Sequence, residues 1–122
     1  AVTAGIETLK RLKKPGTYEQ LEQRSVALSE GVGNAARKAG VPLTQTRVSS
    51  MMCAFFTQGP VTDWASAKKA DTKAYAKFFH QMLDAGIYLA PSQFEAAFMS
   101  VAHTPKDIDR TISAAQAAFK NL

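Results

Sequence analysis

Residues 43–60 read L-T-Q-T-R-V-S-S-M-M-C-A-F-F-T-Q-G-P, and this stretch decides the fold class. The pattern predicts strands over 43–48 and 51–57, with Ser49 and Ser50 between them. Val48, Met51, Met52, Cys53, Phe55 and Phe56 make a dense apolar run that suits a buried strand better than an alternating edge. Gln58, Gly59 and Pro60 form the exit turn.

Helical patterns flank this hairpin on both sides. Upstream, Tyr18, Leu21, Ser25, Leu28, Val32, Ala35 and Ala39 recur in steps of three and four, one buried stripe on a long helix. Thr17 and Gln20 are expected to form a capping box at its start, and Gly40 with Pro42 to end it. The stripe narrows to alanine near its end, which suits close packing against another layer. Val2, Ile6 and Leu9 predict an earlier helix over 1–13. Nothing before it supplies a cap, so its beginning is expected to lie in an upstream segment.

Downstream, Asp63 can cap a short helix through Ala70. Asp71 can cap a second, whose Tyr75, Phe78, Phe79, Met82 and Leu83 share a face. Trp64 reads as a lid on the core. Gly86 stops the second helix, and Ile87–Ala90 reads as a strand. Pro91 opens a loop over 91–95, and Phe98–Val101 reads as a further short strand. Thr104, Pro105 and Asp107 mark a strong helix start, with Ile108, Ile112, Ala115 and Phe119 facing inward. The elements predict an α+β domain: a small antiparallel sheet of three to four strands covered by helices.

The 122 residues suffice for one domain with one core, and 46% hydrophobic with 20% charged is a globular balance. No apolar run approaches the roughly 18 residues of a membrane span, so no membrane partner is expected. Cys53 is the single cysteine, which excludes an internal disulfide and a cysteine-rich zinc site. His80 and His103 are far apart, and no metal site is expected. A reducing, cytoplasmic location is the default expectation. The net charge of +5 gathers at Lys10, Arg11, Lys13 and Lys14 and at Lys68, Lys69, Lys73 and Lys77. These read as solvated faces, because no nucleic-acid recognition motif accompanies them.

Catalytic motifs are missing: no G-x-S-x-G elbow, no phosphate-binding glycine loop. The unusual stretch is I-Y-L-A-P-S-Q-F-E at 87–95, which sets Ser92, Gln93 and Glu95 in a loop between apolar segments. Loops held by a rigid layer often carry sites, although an exposed turn with a solvated acid is the simpler reading. His103 reads as a capping-region contact and His80 as a helix-side residue. Cys53 reads as a small hydrophobe.

The segments P-G-T-Y-E-Q-L (15–21), R-V-S-S-M-M (47–52), F-F-H-Q-M-L-D-A-G-I-Y-L-A-P-S-Q-F-E-A-A-F-M-S (78–100) and A-H-T-P-K-D-I-D-R-T (102–111) resemble the glutamate-1-semialdehyde aminomutase family. That family belongs to the pyridoxal-phosphate aminotransferases of the large aspartate-aminotransferase fold. The resemblance covers the whole chain but only the C-terminal part of the family's protein, its small domain. Y-L-A-P-S-Q-F-E at 88–95 is its most specific motif, and Ala97 departs from the glycine common there.

The resemblance implies one domain of a longer, homodimeric enzyme of tetrapyrrole synthesis that converts glutamate-1-semialdehyde to 5-aminolevulinate. The partners it implies are an upstream large domain, a second subunit and a small-molecule substrate. It implies that pyridoxal phosphate binds the large domain, with no cofactor-binding residue in this chain. Glu95 is carried over as the acid facing the active site. There it would repel substrates bearing an α-carboxylate, where glutamate-1-semialdehyde has an aldehyde. Ser92 and Gln93 are weaker candidates for substrate contact or for shaping the loop. The alternative is a self-standing basic α+β module that binds nucleic acid or protein.

Overall fold

The computed structural model describes all residues, 1–122. Five helices and one small sheet follow the order α1 (Val2–Leu12), α2 (Thr17–Ala39), β1 (Thr44–Val48), β2 (Met51–Phe55), α3 (Trp64–Ala67), α4 (Thr72–Asp84), β3 (Ala97–Phe98) and α5 (Pro105–Phe119). The sheet is three-stranded and antiparallel with β2 in the centre. Val48 faces Met51 across the first hairpin, so Ser49 and Ser50 are its two-residue turn, with Ser49 at φ 51°.

Helix ends follow the local chemistry, with one exception. Asp63 and Ser66 form a reciprocal capping box on α3, and Thr104 and Asp107 form one on α5 behind Pro105. Asp71 accepts the N–H groups of Lys73 and Ala74 at the start of α4. The Thr17–Gln20 capping box expected on α2 does not form. Gly16, at φ 83°, takes the cap position so that the chain can reverse tightly out of α1. Thr17 is thereby already helical, and its hydroxyl donates to the Arg11 carbonyl at 3.2 Å. At the other end Gly40, at φ 71°, caps as expected.

These capping acids tie the fold to pH. Hydrogen bonds from Ser66 to Asp63, from Ala74 to Asp71 and from Thr104 to Asp107 hold the three carboxyls below the ordinary aspartate value. The Arg47 guanidinium does the same to Glu22, bonding it through two contacts of 2.8 Å. An acid with a depressed folded-state pKa stabilises the fold above its unfolded pKa, and this is lost as pH falls through the folded value. Thermal melts of the chain should therefore hold from neutral pH to about 5 and drop below about 4. The double variant Asp71→Asn, Asp107→Asn should flatten that drop. A melting temperature that rises on acidification would contradict the assignment.

The core lies between α2, α4 and α5 and the inner face of the sheet. Phe78 and Phe119 stack at 4.7 Å, and Phe56 meets Tyr75, Phe78 and Phe119 at centroid distances of 5.9, 5.5 and 6.1 Å. Ala35, Ala36, Ala115 and Ala118 line the approach of α2 to α5, all buried. A Cβ on Gly31 would sit 2.3 Å from the end of the Ile112 side chain, so any larger residue there would force that side chain to move. The narrow alanine stripe does what its size suggests: it lets two helices close on one another.

Several expectations are corrected. The Met51–Phe55 run is half-buried, not fully buried, because helices cover only one face of the sheet. On the bare face Val48, Met51 and Phe98 stand in register across all three strands, 70%, 41% and 67% exposed. Ile87–Ala90 is extended but pairs with nothing. Ile87 and Leu89 pack on the core while Tyr88 points out, so the segment has a strand's alternation without a ladder. The short strand expected over Phe98–Val101 is only Ala97–Phe98, which pairs with Met52 and Met51 of β2. Tyr18 and Leu83, expected inside, are exposed at the margins of their stripes. Trp64 is no core lid: it is 65% exposed and lies edge-on to Phe94 at 5.3 Å.

Candidate functional site

The 91–95 loop is built between the extended segment 87–90 and β3, on the side of the sheet that faces the core. Its internal turn is closed by its own atoms. The Phe94 N–H donates to the Ser92 hydroxyl at 3.2 Å, and the Glu95 N–H to the Ser92 carbonyl at 3.2 Å. Ser92 thus bonds within the loop through both its hydroxyl and its carbonyl.

Gln93 turns inward. Its side chain is 3% exposed, and its Oε1 accepts the Phe56 N–H at 3.0 Å just after β2 ends. Its Nε2 is buried without a protein partner. A buried amide normally satisfies both ends. The Tyr75 hydroxyl donates to the Ala90 carbonyl, which fixes the residue before Pro91. Burial, with the negative charge of Glu95 nearby, pushes the Tyr75 phenol pKa up.

Glu95 is exposed, and its carboxylate makes no hydrogen bond and no ion pair. Its backbone carbonyl receives the Cys53 thiol at a long 3.7 Å. Tyr75, Gln93 and Glu95 all line one cavity of about 130 Å³ between the sheet and α2, α4 and α5, otherwise walled mainly by apolar groups such as Val32, Met52 and Phe119. The arrangement presents a free negative charge at the rim of an apolar hollow, on a short loop tied to the aromatic core. It can repel anions and accept hydrogen bonds from a donor brought against it.

Other candidates stay in the background. Cys53 is half-buried, and burial pushes its thiol pKa up, which disfavours the reactive thiolate. The His103 Nδ1 accepts the Ser100 N–H at 3.0 Å, the capping-region contact expected of it. His80 is exposed on α4 with its ring against Phe79. Of the basic residues, Lys10 pairs with Glu7 at 2.7 Å. No helix is long and apolar enough to cross a membrane.

Sequence reasoning missed Tyr75 as part of this site and took it for plain core. The available signal was its hydroxyl: a tyrosine on a buried helix face needs an acceptor, where a phenylalanine would not.

Comparison with known proteins agrees with the resemblance of the sequence. No family model matches the chain. The chain is 57% identical over all 122 residues to the glutamate-1-semialdehyde 2,1-aminomutase of Citrifermentans bemidjiense, and it spans 29% of that relative's length. Its fold is that of the pyridoxal-phosphate aminotransferases. It superposes with a TM-score of 0.75 on the FumI protein of Sphingopyxis sp. MTA144, solved in its PLP internal aldimine form, at 28% identity over 97% of this chain and 26% of that one. It also superposes, at TM-score 0.74, on a glutamate-1-semialdehyde aminomutase of Pseudomonas aeruginosa PAO1, with 17% identity over 86% of this chain and 23% of that one.

Proposed function

We propose that this chain, as a segment of the glutamate-1-semialdehyde aminomutase family, is the C-terminal small domain of an enzyme that converts glutamate-1-semialdehyde to 5-aminolevulinate. The observation that carries the reading is the similarity of 98–100% of this chain, at 54–57% identity, to 28–29% of the length of curated relatives of that name. The enzyme acts in tetrapyrrole synthesis, as a cytoplasmic homodimer. An upstream large domain and the second subunit are the partners of this chain, and the amino acid semialdehyde is the substrate.

Two surfaces support such partners. One is α1, which buries no residue and holds Val2, Ile6 and Leu9 exposed along one side. The other is the bare row Val48–Met51–Phe98. Exposed apolar patches of this kind mark interfaces. The alternative of a self-standing nucleic-acid module has no support. No basic side chain lines the loop cavity, and Phe56, Tyr75, Phe78 and Phe119 are locked in the core where they cannot stack on bases.

Pyridoxal phosphate supplies an electron-accepting ring that holds an amino group during its transfer. The residues that line the cavity beside the loop do not fit it. The cavity beside the loop offers neither a lysine for the cofactor's aldehyde nor any cation for its phosphate, and it carries Glu95 at its rim. Cofactor binding is accordingly assigned to the large domain, and the contribution of this chain is to substrate selection. Glu95 stands where substrates with an α-carboxylate would meet like charge, while a substrate with an aldehyde at that position would not.

The longer enzyme should convert glutamate-1-semialdehyde, whereas the 122-residue chain alone should be inactive. Incubated with pyridoxal phosphate and borohydride, the chain should give only scattered, non-saturable lysine labelling by mass spectrometry. A stoichiometric adduct on one lysine would overturn the assignment of the cofactor site.

A further inference from the structure

We propose that Tyr75 and Gln93 are positioning residues for Glu95: Tyr75 reaches from the aromatic core to the residue before Pro91, and Gln93 reaches from the loop back to that core at Phe56. The inference rests on the reading of Glu95 as the discriminating acid and adds how that acid is held.

The loop has few ties to the rest of the molecule. Its turn is closed internally through Ser92. The Cys53 thiol lies 3.7 Å from the Glu95 carbonyl, a weak contact, and the Trp64–Phe94 ring pair is largely exposed. Two well-made bonds remain. The Tyr75 hydroxyl holds the Ala90 carbonyl, and Gln93 Oε1 holds the Phe56 N–H at 3.0 Å.

Both bonds end in the same packed unit, because the Phe56 and Tyr75 rings meet edge to face at 5.9 Å. The core ends of the two bonds, Phe56 and Tyr75, are thus fixed against each other. Pro91 follows Ala90 directly and stiffens the chain between the two grips.

Gln93 is also an uneconomical choice for packing alone. Its side chain is 3% exposed, yet only one end of its amide has a partner. An apolar residue of similar volume would fill the space without stranding a donor. What the glutamine adds is an acceptor aimed at one backbone N–H, which sets the register of the loop against the end of β2. Glu95 lies two residues further on, over the cavity that Tyr75 and Gln93 also line.

The test uses the full-length enzyme, with Tyr75→Phe, Gln93→Met, Glu95→Gln and the double variants with Glu95→Gln. The readout is the ratio of kcat/KM for glutamate-1-semialdehyde to that for alanine. Lost folding or a smaller active fraction scales both constants together and leaves this ratio unmoved. The expected result is a shift of about three- to tenfold for each positioning variant, in the direction of Glu95→Gln, that nearly vanishes when Glu95 is already Gln. If Glu95→Gln shifts the ratio but Tyr75→Phe and Gln93→Met do not, the positioning role is wrong. If Glu95→Gln itself leaves the ratio unchanged, the discriminating acid falls and its grip with it. Tyr75→Phe removes a single oxygen, so it remains informative should Gln93→Met fail to fold.

Discussion

Phe119→Ala should cost the fold about 3–5 kcal/mol, a large share of the roughly 5–15 kcal/mol that holds a domain together. Phe119 is 2% exposed and stacks on Phe78 at 4.7 Å while also touching Phe56, so truncation removes the meeting point of α4, α5 and the strand exit. Ala115 and Ala118 beside it are alanines and carry no longer side chain to fill the gap. Urea unfolding of the chain should show the transition midpoint displaced far toward zero denaturant. The exposed Phe98→Ala, at 67% exposure, should move stability by less than about 0.5 kcal/mol. A loss below about 1 kcal/mol for Phe119→Ala would mean that the aromatic cluster is not the centre of the core.

The same cluster links stability to the site. Phe56 contributes its ring to the core and its N–H to Gln93, and Tyr75 contributes its ring to the core and its hydroxyl to Ala90. Loosening the core should therefore loosen the loop. Loosening the loop at Tyr75, by contrast, leaves the ring packing in place.

Most of the fold was legible because it rests on local rules. Thr104, Pro105 and Asp107 define the start of α5 by chemistry confined to four residues, and Asp71 does the same for α4. The hairpin was readable from two apolar strands around Ser49 and Ser50. What failed depended on partners elsewhere. Whether 87–90 joins the sheet is a matter of tertiary pairing that its own alternation cannot show, and β2 pairs instead with Ala97–Phe98 later in the chain. Thr17 was misread because its hydroxyl answers α1, which the local motif cannot know.

The site divides in the same way. Ser92, Gln93 and Glu95 were singled out together, and the structure places them on one loop. The depth of Gln93 was not readable, since it follows from a backbone N–H that lies 37 residues away in sequence. Nor was the role of Tyr75, which shares its helical stripe with Phe78 and Met82 and differs from them only in its hydroxyl.

The central claim is that the free carboxylate of Glu95 selects the substrate by its charge. Glutamine at that position keeps the shape and one acceptor oxygen, removes the charge and puts an NH2 donor where the second oxygen stood. Because the carboxylate makes no bond within the chain, the substitution should leave the melting temperature of the enzyme nearly unchanged. Steady-state kinetics of full-length Glu95→Gln against wild type, on glutamate-1-semialdehyde and on alanine, tests the claim directly. Relative activity toward alanine should rise about tenfold, equivalent to about 1.4 kcal/mol of lost discrimination, with thermal stability unmoved. Identical specificity constants on both substrates would contradict it and leave Glu95 a solvated acid on an exposed turn.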